Sequence, residues 1–257
     1  MYGILFATSL ILCSFLAQKL AENKAISKDL IFDSIFYSVI GGIIGARLFH
    51  VVDYWSYYSI NPVKILEVYN GGLGIVGGIF GGVAAFYLYS KAARIPAHKV
   101  LAMLDIFGTL LPLAQAISRW GNYFNNEVFG LPTQNPVALY IPYAARPENY
   151  KFFEKFHPLF LYESVLCLSI FVTLYYLLTK AKTEKNLRIK MFDGDIFLLY
   201  LLGYGLVRLV LEPFRLRHFY LLGVNTVTAT ALFSVFLSAA LLILRRKNGT
   251  SKEPQRS

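Results

Sequence analysis

The chain has 257 residues, of which 56% are hydrophobic and only 16% are charged, and its mean hydropathy is +0.51. An ordinary soluble domain is roughly 45–50% apolar and about 25% charged, so the excess of apolar residues must face lipid. This composition excludes a secreted disulfide scaffold, a disordered chain and a nucleic-acid-binding domain, although the net charge is +10. We therefore expect an integral membrane protein.

Seven segments are long and apolar enough for membrane-spanning helices, which need roughly 17–25 mostly apolar residues. In chain order they are 1–20, 30–52, 71–90, 100–118, 159–179, 194–211 and 224–244. The first has no basic residue before its apolar run, so we do not expect a cleavable signal peptide. The spans predict an all-α integral membrane bundle that forms one transmembrane domain, 1–244, followed by a disordered basic tail, 245–257.

The basic residues predict the orientation, because 16 of the 25 lysines and arginines lie at the end of, or after, spans one, three, five and seven. Loops rich in lysine and arginine stay in the cytoplasm, so we expect the N-terminus outside and the C-terminus in the cytoplasm. The positive charge then reflects topology and contact with anionic lipid heads, and we expect no nucleic-acid partner. The longest outer segment, 119–156, carries four prolines and many aromatic residues and is expected to form a small outer head.

Charged residues in the spans are functional candidates, because charge inside a bilayer is costly. They are Arg47, Asp105, Glu163, Arg208 and Glu212, and we expect them to cluster toward the outer ends of the spans. Structural ion pairing inside the bundle is the alternative for each, and it explains Asp105 and Glu163 most easily. The two cysteines, Cys13 and Cys167, lie in apolar runs without metal-ligand spacing, so we interpret them as packing residues.

Span six carries a polar stripe, with Tyr204, Arg208, Glu212 and Arg215 at positions i, i+4, i+8 and i+11 of one helical face. Pro213 is expected to break the helix at this point. A broken helix with two arginines on one face can bind an anion if its irregular backbone faces a cavity. A salt-bridged helix end at the membrane interface is the alternative.

Spans two and three repeat glycine at intervals of four residues. The repeats are Gly41 and Gly45 in span two, and Gly74, Gly78 and Gly82 in span three, with Gly77 and Gly81 alongside. Small residues at this spacing let helices approach closely, so we expect most of them to serve packing. Gly71 and Gly72, at the expected outer mouth, could instead let a substrate approach the backbone.

The segment from Arg119 to Gly130, RWGNYFNNEVFG, is expected where span four meets the outer surface. Arginine offers a planar fork of donors that suits a phosphodiester. Gly121 removes a side chain that would hold a lipid head away, and Asn122 and Asn125 can donate to phosphate or glycerol oxygens. These residues predict a site for a phospholipid headgroup.

The same segment resembles the signature of the prolipoprotein diacylglyceryl transferase family, Arg-x-Gly-Asn-(Phe/Tyr)-x-Asn-x-Glu-x-x-Gly. All seven fixed positions match, at Arg119, Gly121, Asn122, Tyr123, Asn125, Glu127 and Gly130. Further motifs of the family match in chain order, at Tyr2-Gly3, Gly45 to Arg47, Gly71-Gly72, Gly77-Gly78, His157 to Glu163, and Tyr204 to Arg215. The resemblance therefore covers nearly the whole bundle.

The resemblance implies a multi-pass transferase of the bacterial plasma (inner) membrane whose active site faces outward. Such an enzyme moves the diacylglyceryl group of phosphatidylglycerol to the lipobox cysteine thiol beside a prolipoprotein signal peptide, leaving a thioether and glycerol phosphate. Arg119 and Arg208 are the implied catalytic residues, because negative charge builds on the leaving phosphate, and Glu212 would orient Arg208. No metal or soluble cofactor is expected. The implied substrate-binding residues are Arg119, Gly121, Asn122, Asn125, Glu127, Gly130, Tyr2, Tyr204, Glu212, Arg215 and His157.

One position departs from the family pattern, because Val76 stands where the third-span Gly-Gly pair is usually preceded by His or Tyr. Valine cannot exchange a proton, so we expect the cationic field of Arg119 and Arg208 to raise the thiolate fraction of the substrate. Two other functions stay open at this point. A transporter or flippase for anionic lipids would continue polar residues through the bundle, and a non-catalytic relative would bind anionic phospholipid only.

Overall fold

The computed structural model describes residues 2–180, 191–216, 220–221 and 223–250. Seven helices in these ranges are long and apolar enough to cross a membrane, which confirms the all-α membrane fold. They are α1 (Tyr2–Glu22), α2 (Lys28–Asp53), α4 (Ile75–Ala92), α5 (Ala97–Phe124), α6 (Leu159–Lys180), α7 (Asp195–Leu211) and α8 (Thr226–Thr250), and α3 is the short helix Trp55–Tyr58.

Short elements connect these helices. The 3-10 helices are Pro62–Leu66, Val68–Asn70, Tyr143–Ala145, Glu148–Tyr150 and Glu212–Phe214. Two antiparallel strand pairs join β1 (Leu139–Tyr140) to β2 (Lys155–Phe156) and β3 (Tyr220–Leu221) to β4 (Val224–Asn225). The chain divides into two compact units, one formed by the described residues of Met1–Leu20 and Leu101–Ser257 and the other by Ala21–Val100.

In the unit Ala21–Val100, α2 and α4 pack glycine against glycine. A Cβ atom at Gly45 would collide with the backbone of Gly77, and one at Gly41 would collide with that of Gly81. Only small residues allow helix backbones to approach this closely. The packing role expected for the glycine repeats is therefore confirmed.

Arg47 of α2 has a structural role in the same unit. Its guanidinium donates to the carbonyl oxygens of Lys64, Ile65, Glu67, Gly71 and Gly72. A guanidinium has five N–H donors, so these five carbonyls use the whole set. Arg47 is buried, and these contacts hold the loop before α4 in place, including the carbonyls of Gly71 and Gly72.

In the other unit, α5 continues six residues past the predicted end of its span at 118, as far as Phe124. The predicted limit was set where the apolar run is followed by the charged residue Arg119. The helix continues because Arg119 finds an ionic partner on α6 and Asn122 is buried against protein. The signature segment therefore begins on a helix.

A loop, residues 125–158, connects α5 to α6 and corresponds to most of the expected head. It has a small core of Phe129, Ile141 and Phe156 and includes the β1–β2 pair. Buried Arg146 ties the loop together, because its Nε donates to the carbonyl of Ile141 at 2.8 Å. The loop thus has its own buried centre.

Asp105 does not lie with Glu163, Arg208 and Glu212 of the same unit, so the expected clustering toward one end is wrong for this residue. Its carboxylate accepts hydrogen bonds from the backbone N–H groups of Gly194 (2.8 Å) and Phe197 (3.1 Å). These groups belong to the N-terminus of α7, whose first N–H groups have no partner within the helix. Arg119 lies fourteen residues further along α5, which is about 21 Å at 1.5 Å per residue.

The end of α8 also differs from expectation, because the helix runs to Thr250 rather than ending at 244. Arg245, expected in a disordered tail, pairs with the buried carboxylate of Asp195 at 2.9 Å. This ion pair gives the helix a partner beyond its apolar run. Residues 251–257 of the expected tail lie outside the described residues.

Candidate active site

The buried carboxylate of Glu163, in the second turn of α6, lies at the centre of a cluster of arginines. It is 1% exposed. Its Oε1 pairs with Nη2 of Arg119 on α5 and lies 3.6 Å from Nη1 of Arg208 on α7. Its Oε2 lies 3.3 Å from Nη2 of Arg215. One carboxylate therefore contacts three guanidiniums from separate parts of the chain.

Tyr204 fixes the geometry of this cluster further. Its hydroxyl accepts a hydrogen bond from Nη2 of Arg119 and donates one to Oε1 of Glu163, both at 3.2 Å. Tyr204 and Arg208 lie one turn apart on α7, so one helical face supplies both side chains. The shared face expected for these two residues is confirmed.

Glu212 is the second carboxylate of the cluster, and its described contacts are with Asn225 and Arg215. Its Oε1 accepts a hydrogen bond from Nδ2 of Asn225 at 2.8 Å, and its Oε2 lies 3.6 Å from Nε of Arg215. As expected from Pro213, α7 ends at Leu211 and a 3-10 turn follows. The backbone of Glu212 still has helical angles (φ −59°, ψ −41°), and its N–H donates to the carbonyl of Arg208. The guanidinium of Arg208 nevertheless pairs with Glu163.

Arg215 reaches the cluster through a backbone contact rather than as part of a helical stripe. Its backbone is extended and forms a β-bridge with Gly130, and Leu131 N–H donates to the carbonyl of Phe214 at 2.8 Å. A Cβ atom at Gly130 would lie 2.6 Å from that carbonyl oxygen, so only glycine fits here without a shift. Burial lowers the pKa of Arg215, as does the neighbouring Arg208, while Glu163 raises it.

Several donors in the site have no acceptor among the described residues. Arg208 makes an ion pair but donates no hydrogen bond there, and Nδ2 of Asn122 is buried without a partner. A buried donor without an acceptor costs about 1–3 kcal/mol. Asn122 lies one turn after Arg119 on α5. The segment expected to bind a headgroup therefore places a guanidinium and an amide on neighbouring turns of the same helix. These donors suit the oxygens of a phosphate ester.

The remaining signature residues lie in different surroundings. Gly121 is buried on α5, whereas Asn125 and Glu127 are exposed and contact each other at 3.5 Å. The turn that contains them has positive φ angles at Asn126 (50°) and Val128 (55°). Positive φ is rare outside glycine and strained for a β-branched residue. The structure therefore does not bring Asn125 and Glu127 into the described contacts of the arginine cluster.

His157 lies beside the Gly130 bridge. Its backbone carbonyl accepts from Gly130 N–H at 2.9 Å, its Nδ1 lies 3.2 Å from the hydroxyl of Tyr162, and its ring centre is 5.1 Å from that of Phe214. Its described contacts are thus with the segment that positions Arg215. The side chain of Tyr2, the other expected binding residue near the chain start, lies outside the described part of the structure.

An apolar groove of about 320 Å³ lies next to the cluster, between α1, α5 and α6. Its lining residues are Leu5, Leu113, Ala116, Ile117, Trp120, Ser164 and Leu168. Trp120 and Ser164 directly follow Arg119 and Glu163 in the chain, so the groove and the cations share two helices. Together they provide surfaces for a ligand with an anionic head and a hydrocarbon chain.

Comparison with known proteins assigns the family. The model of the prolipoprotein diacylglyceryl transferase family matches residues 1–245. The chain belongs to this family. It is therefore related to enzymes, and it is a multi-pass bacterial membrane protein.

Three relatives, each named phosphatidylglycerol--prolipoprotein diacylglyceryl transferase, illustrate the similarity. The protein of Fervidobacterium nodosum is 38% identical over 196 residues, which cover 76% of this chain and 64% of that protein, slightly less than two thirds. The protein of Trichormus variabilis is 38% identical over 214 residues, covering 83% of this chain and 74% of the relative. That of Thermotoga petrophila is 35% identical over 260 residues, covering 100% and 83%.

Glu163 is the site residue that is absent from the binding and catalytic residues expected from sequence. Ion pairing inside the bundle is the alternative that explains it most easily from sequence, and it does pair, with all three arginines of the site. The available signal was its position as the last residue of the His-Pro-x-x-Leu-Tyr-Glu motif that begins at His157. Asn225, which holds Glu212, carried no comparable signal.

Proposed function

We propose that this chain transfers the diacylglyceryl group of phosphatidylglycerol to the lipobox cysteine thiol of a prolipoprotein. The convergence of Arg119, Arg208 and Arg215 on Glu163, next to the signature segment, is the observation that carries this proposal. The names of the relatives support phosphatidylglycerol and a prolipoprotein as the two substrates. The groove beside the cluster supports a substrate with an acyl chain.

In the proposed reaction, the cysteine sulfur attacks the glycerol carbon that carries the phosphate. A carbon–sulfur bond forms, the carbon–oxygen bond to phosphorus breaks, and glycerol phosphate leaves with the bonding electrons while the thiol proton is released. Negative charge grows on the phosphate oxygens during this step. Arg119 and Arg208 stabilise that charge, because donors held in place in a site shielded from water act most strongly where charge develops.

Tyr204 supports this step by holding the guanidinium of Arg119 through the 3.2 Å hydrogen bond. The attacking group is the thiolate, and a free cysteine has a pKa of about 8.5. The excess of guanidiniums stabilises the thiolate by its positive field. Val76 supplies no proton acceptor, and the field takes the place of a dedicated base.

The proposal also assigns the orientation of the enzyme. The loops rich in lysine and arginine lie in the cytoplasm, so the C-terminal end of α5, which carries Arg119, faces the outer side of the bacterial inner membrane. A prolipoprotein held there by its signal peptide presents its lipobox cysteine at the same level. The site then receives both substrates laterally from the bilayer.

The test is transfer of labelled diacylglyceryl from phosphatidylglycerol in vesicles to a cysteine-containing lipobox peptide by the purified full chain. We expect a thioether-linked product and an equal amount of glycerol phosphate. A peptide with serine at the cysteine position is the matched control and should give neither. Lipid movement without glycerol phosphate would indicate a transporter, and lipid binding without either product would indicate a non-catalytic relative.

A further inference from the structure

A second polar layer lies one helical turn from the arginine cluster, toward the Asp105 end of the same helices. It consists of Gln115 on α5, Cys167 on α6 and Tyr200 on α7. Gln115 joins the other two, because its Nε2 donates to the hydroxyl of Tyr200 at 2.9 Å and its Oε1 accepts from Sγ of Cys167 at 3.9 Å. Cys167 is fully buried and Tyr200 is 7% exposed. The layer therefore links three helices inside the bundle.

This second layer repeats the cluster at a distance of four residues along each helix. The corresponding pairs, from α5 to α7, are Gln115 with Arg119, Cys167 with Glu163, and Tyr200 with Tyr204. Residues four apart lie on the same helical face, about 6 Å apart along the axis at 1.5 Å per residue. Helices α5 and α7 are thus joined at two successive turns, by the Gln115–Tyr200 bond and by the Arg119–Tyr204 bond.

The two tyrosines of α7 connect the second layer to the cluster. Their rings are stacked, with centroids 6.1 Å apart and 19° between the ring planes. This distance is within the range of about 4.5–7 Å that aromatic pairs prefer. The hydroxyl of Tyr204 in turn accepts from Arg119 and donates to Glu163, both at 3.2 Å. A hydrogen bond that fixes the ring of Tyr200 therefore also limits the tilt of Tyr204 and the position of Arg119.

We propose that Gln115 and Tyr200 are positioning residues, which hold Tyr204, and through it Arg119, in the geometry required for transfer. This inference rests on the proposed function. A phosphate at Arg119 competes with the hydroxyl of Tyr204 for the same guanidinium, whereas the Gln115–Tyr200 bond shares no donor with the cluster. The second layer therefore keeps α5 and α7 in register while substrate and product exchange. The alternative is that it only stabilises the bundle, as interhelical hydrogen bonds do in membranes.

The central variant is Tyr200→Phe, which removes the hydroxyl and keeps the stacked ring. We expect kcat of transfer to fall about tenfold, which is less than the hundredfold loss that a misplacement of about 1 Å can cause. KM for phosphatidylglycerol should stay within about twofold of wild type, because the guanidiniums remain and only their alignment in the transition state is lost. Gln115→Met keeps an unbranched side chain of similar length and should give the same loss. Tyr200→Leu also removes the stack and should lose about a hundredfold.

A double-mutant cycle shows whether the layer acts through Tyr204. Tyr204→Phe removes the hydroxyl by which Tyr200 influences Arg119. In the Tyr204→Phe background, Tyr200→Phe should therefore lower kcat by less than about twofold, against about tenfold in the wild-type background. Single-turnover measurements with excess enzyme give the rates of slow variants. A layer that only stabilises the bundle would lower the unfolding temperature and leave kcat of the folded enzyme unchanged.

Ser234→Ala is the matched control. Oγ of Ser234 on α8 donates to the carbonyl of Leu201, the residue after Tyr200, at 3.1 Å. This bond also joins two helices at the level of the second layer, but it does not involve the side chain of Tyr200 or Tyr204, so kcat should stay near the wild-type value. Unchanged kcat in Tyr200→Phe and Gln115→Met, an equal loss in Ser234→Ala, or a full tenfold effect of Tyr200→Phe in the Tyr204→Phe background would overturn the inference while the proposed function stands. Absence of transfer in wild type would refute the proposed function, and the inference with it.

Discussion

Replacement of Gly130 by alanine tests whether the loop 125–158 positions Arg215 for the reaction. The added Cβ would lie 2.6 Å from the carbonyl oxygen of Phe214 and 2.8 Å from Cβ of His157. Ordinary contacts begin near 3.4 Å, so the bridged segment must retreat by about 0.8 Å. Arg215 follows Phe214 directly, and its 3.3 Å contact with Glu163 would lengthen accordingly.

The size of the effect follows from this displacement. Overpacking a buried site typically costs about 1–3 kcal/mol of stability. A misplacement of about 1 Å in a positioning group can reduce catalysis about a hundredfold. We therefore expect Gly130→Ala to unfold at a lower temperature and to lose about two orders of magnitude in turnover.

A matched control separates the loss of stability from the loss of position. At Gly108 on α5 a Cβ would lie 2.9 Å from Cα of Phe197, a similar collision with backbone, but at the Asp105 end of the unit. Gly108→Ala should therefore lower the unfolding temperature to a similar extent and keep turnover within a few-fold of wild type. The assay is steady-state transfer by folded, monodisperse enzyme. Near-normal turnover of Gly130→Ala, or equal losses in both variants, would refute the positioning argument.

Three further substitutions test individual side chains. Arg119→Lys keeps the charge but loses the planar fork, so transfer should fall about 10²–10³-fold while the protein still inserts, and normal turnover would exclude a direct role on the phosphate. Two double-mutant cycles measured on transfer test which carboxylate is coupled to Arg208. Arg208→Ala with Glu163→Gln should be non-additive by about 0.5–3 kcal/mol, whereas Arg208→Ala with Glu212→Gln should be nearly additive. The reverse result would favour the pairing of Arg208 with Glu212 that the sequence suggested. Val76→His should change the rate only modestly, and the wild-type rate should lack a pH inflection near the histidine value of about 6.5. Such an inflection, abolished by His157→Gln, would show that a histidine base acts.

The helices and their close packing could be predicted from sequence because both depend on local patterns. The length of the apolar segments predicts the seven spans. The spacing of glycines predicts the close packing of helices that α2 and α4 show at Gly41 and Gly45. The break at Pro213 follows from the missing N–H of proline. The ends of the spans were less predictable. Helix α5 continues beyond Arg119 because this residue has an ionic partner, Glu163, on another helix.

The partners of the charged residues could not be predicted, because spacing along the chain does not determine them. Arg47, Asp105 and Glu163 look alike in sequence, as single charges in apolar spans. Arg47 donates to five carbonyls of a loop, and Asp105 caps the N-terminus of α7. Glu163 instead meets three guanidiniums. The difference lies in which groups tertiary structure brings within 4 Å.

This difference also explains why intramembrane charge alone is a weak indication of function. A buried charge must find opposite charge or hydrogen bonds in any fold, and at Arg47 and Asp105 the backbone satisfies that requirement. At Glu163 the requirement is exceeded, because one carboxylate faces three cations. Excess charge and the unpaired amide of Asn122 are costs that folding alone does not explain. An anionic substrate oxygen would compensate both, and on this basis we propose that the arginine cluster, rather than Arg47 or Asp105, acts in catalysis.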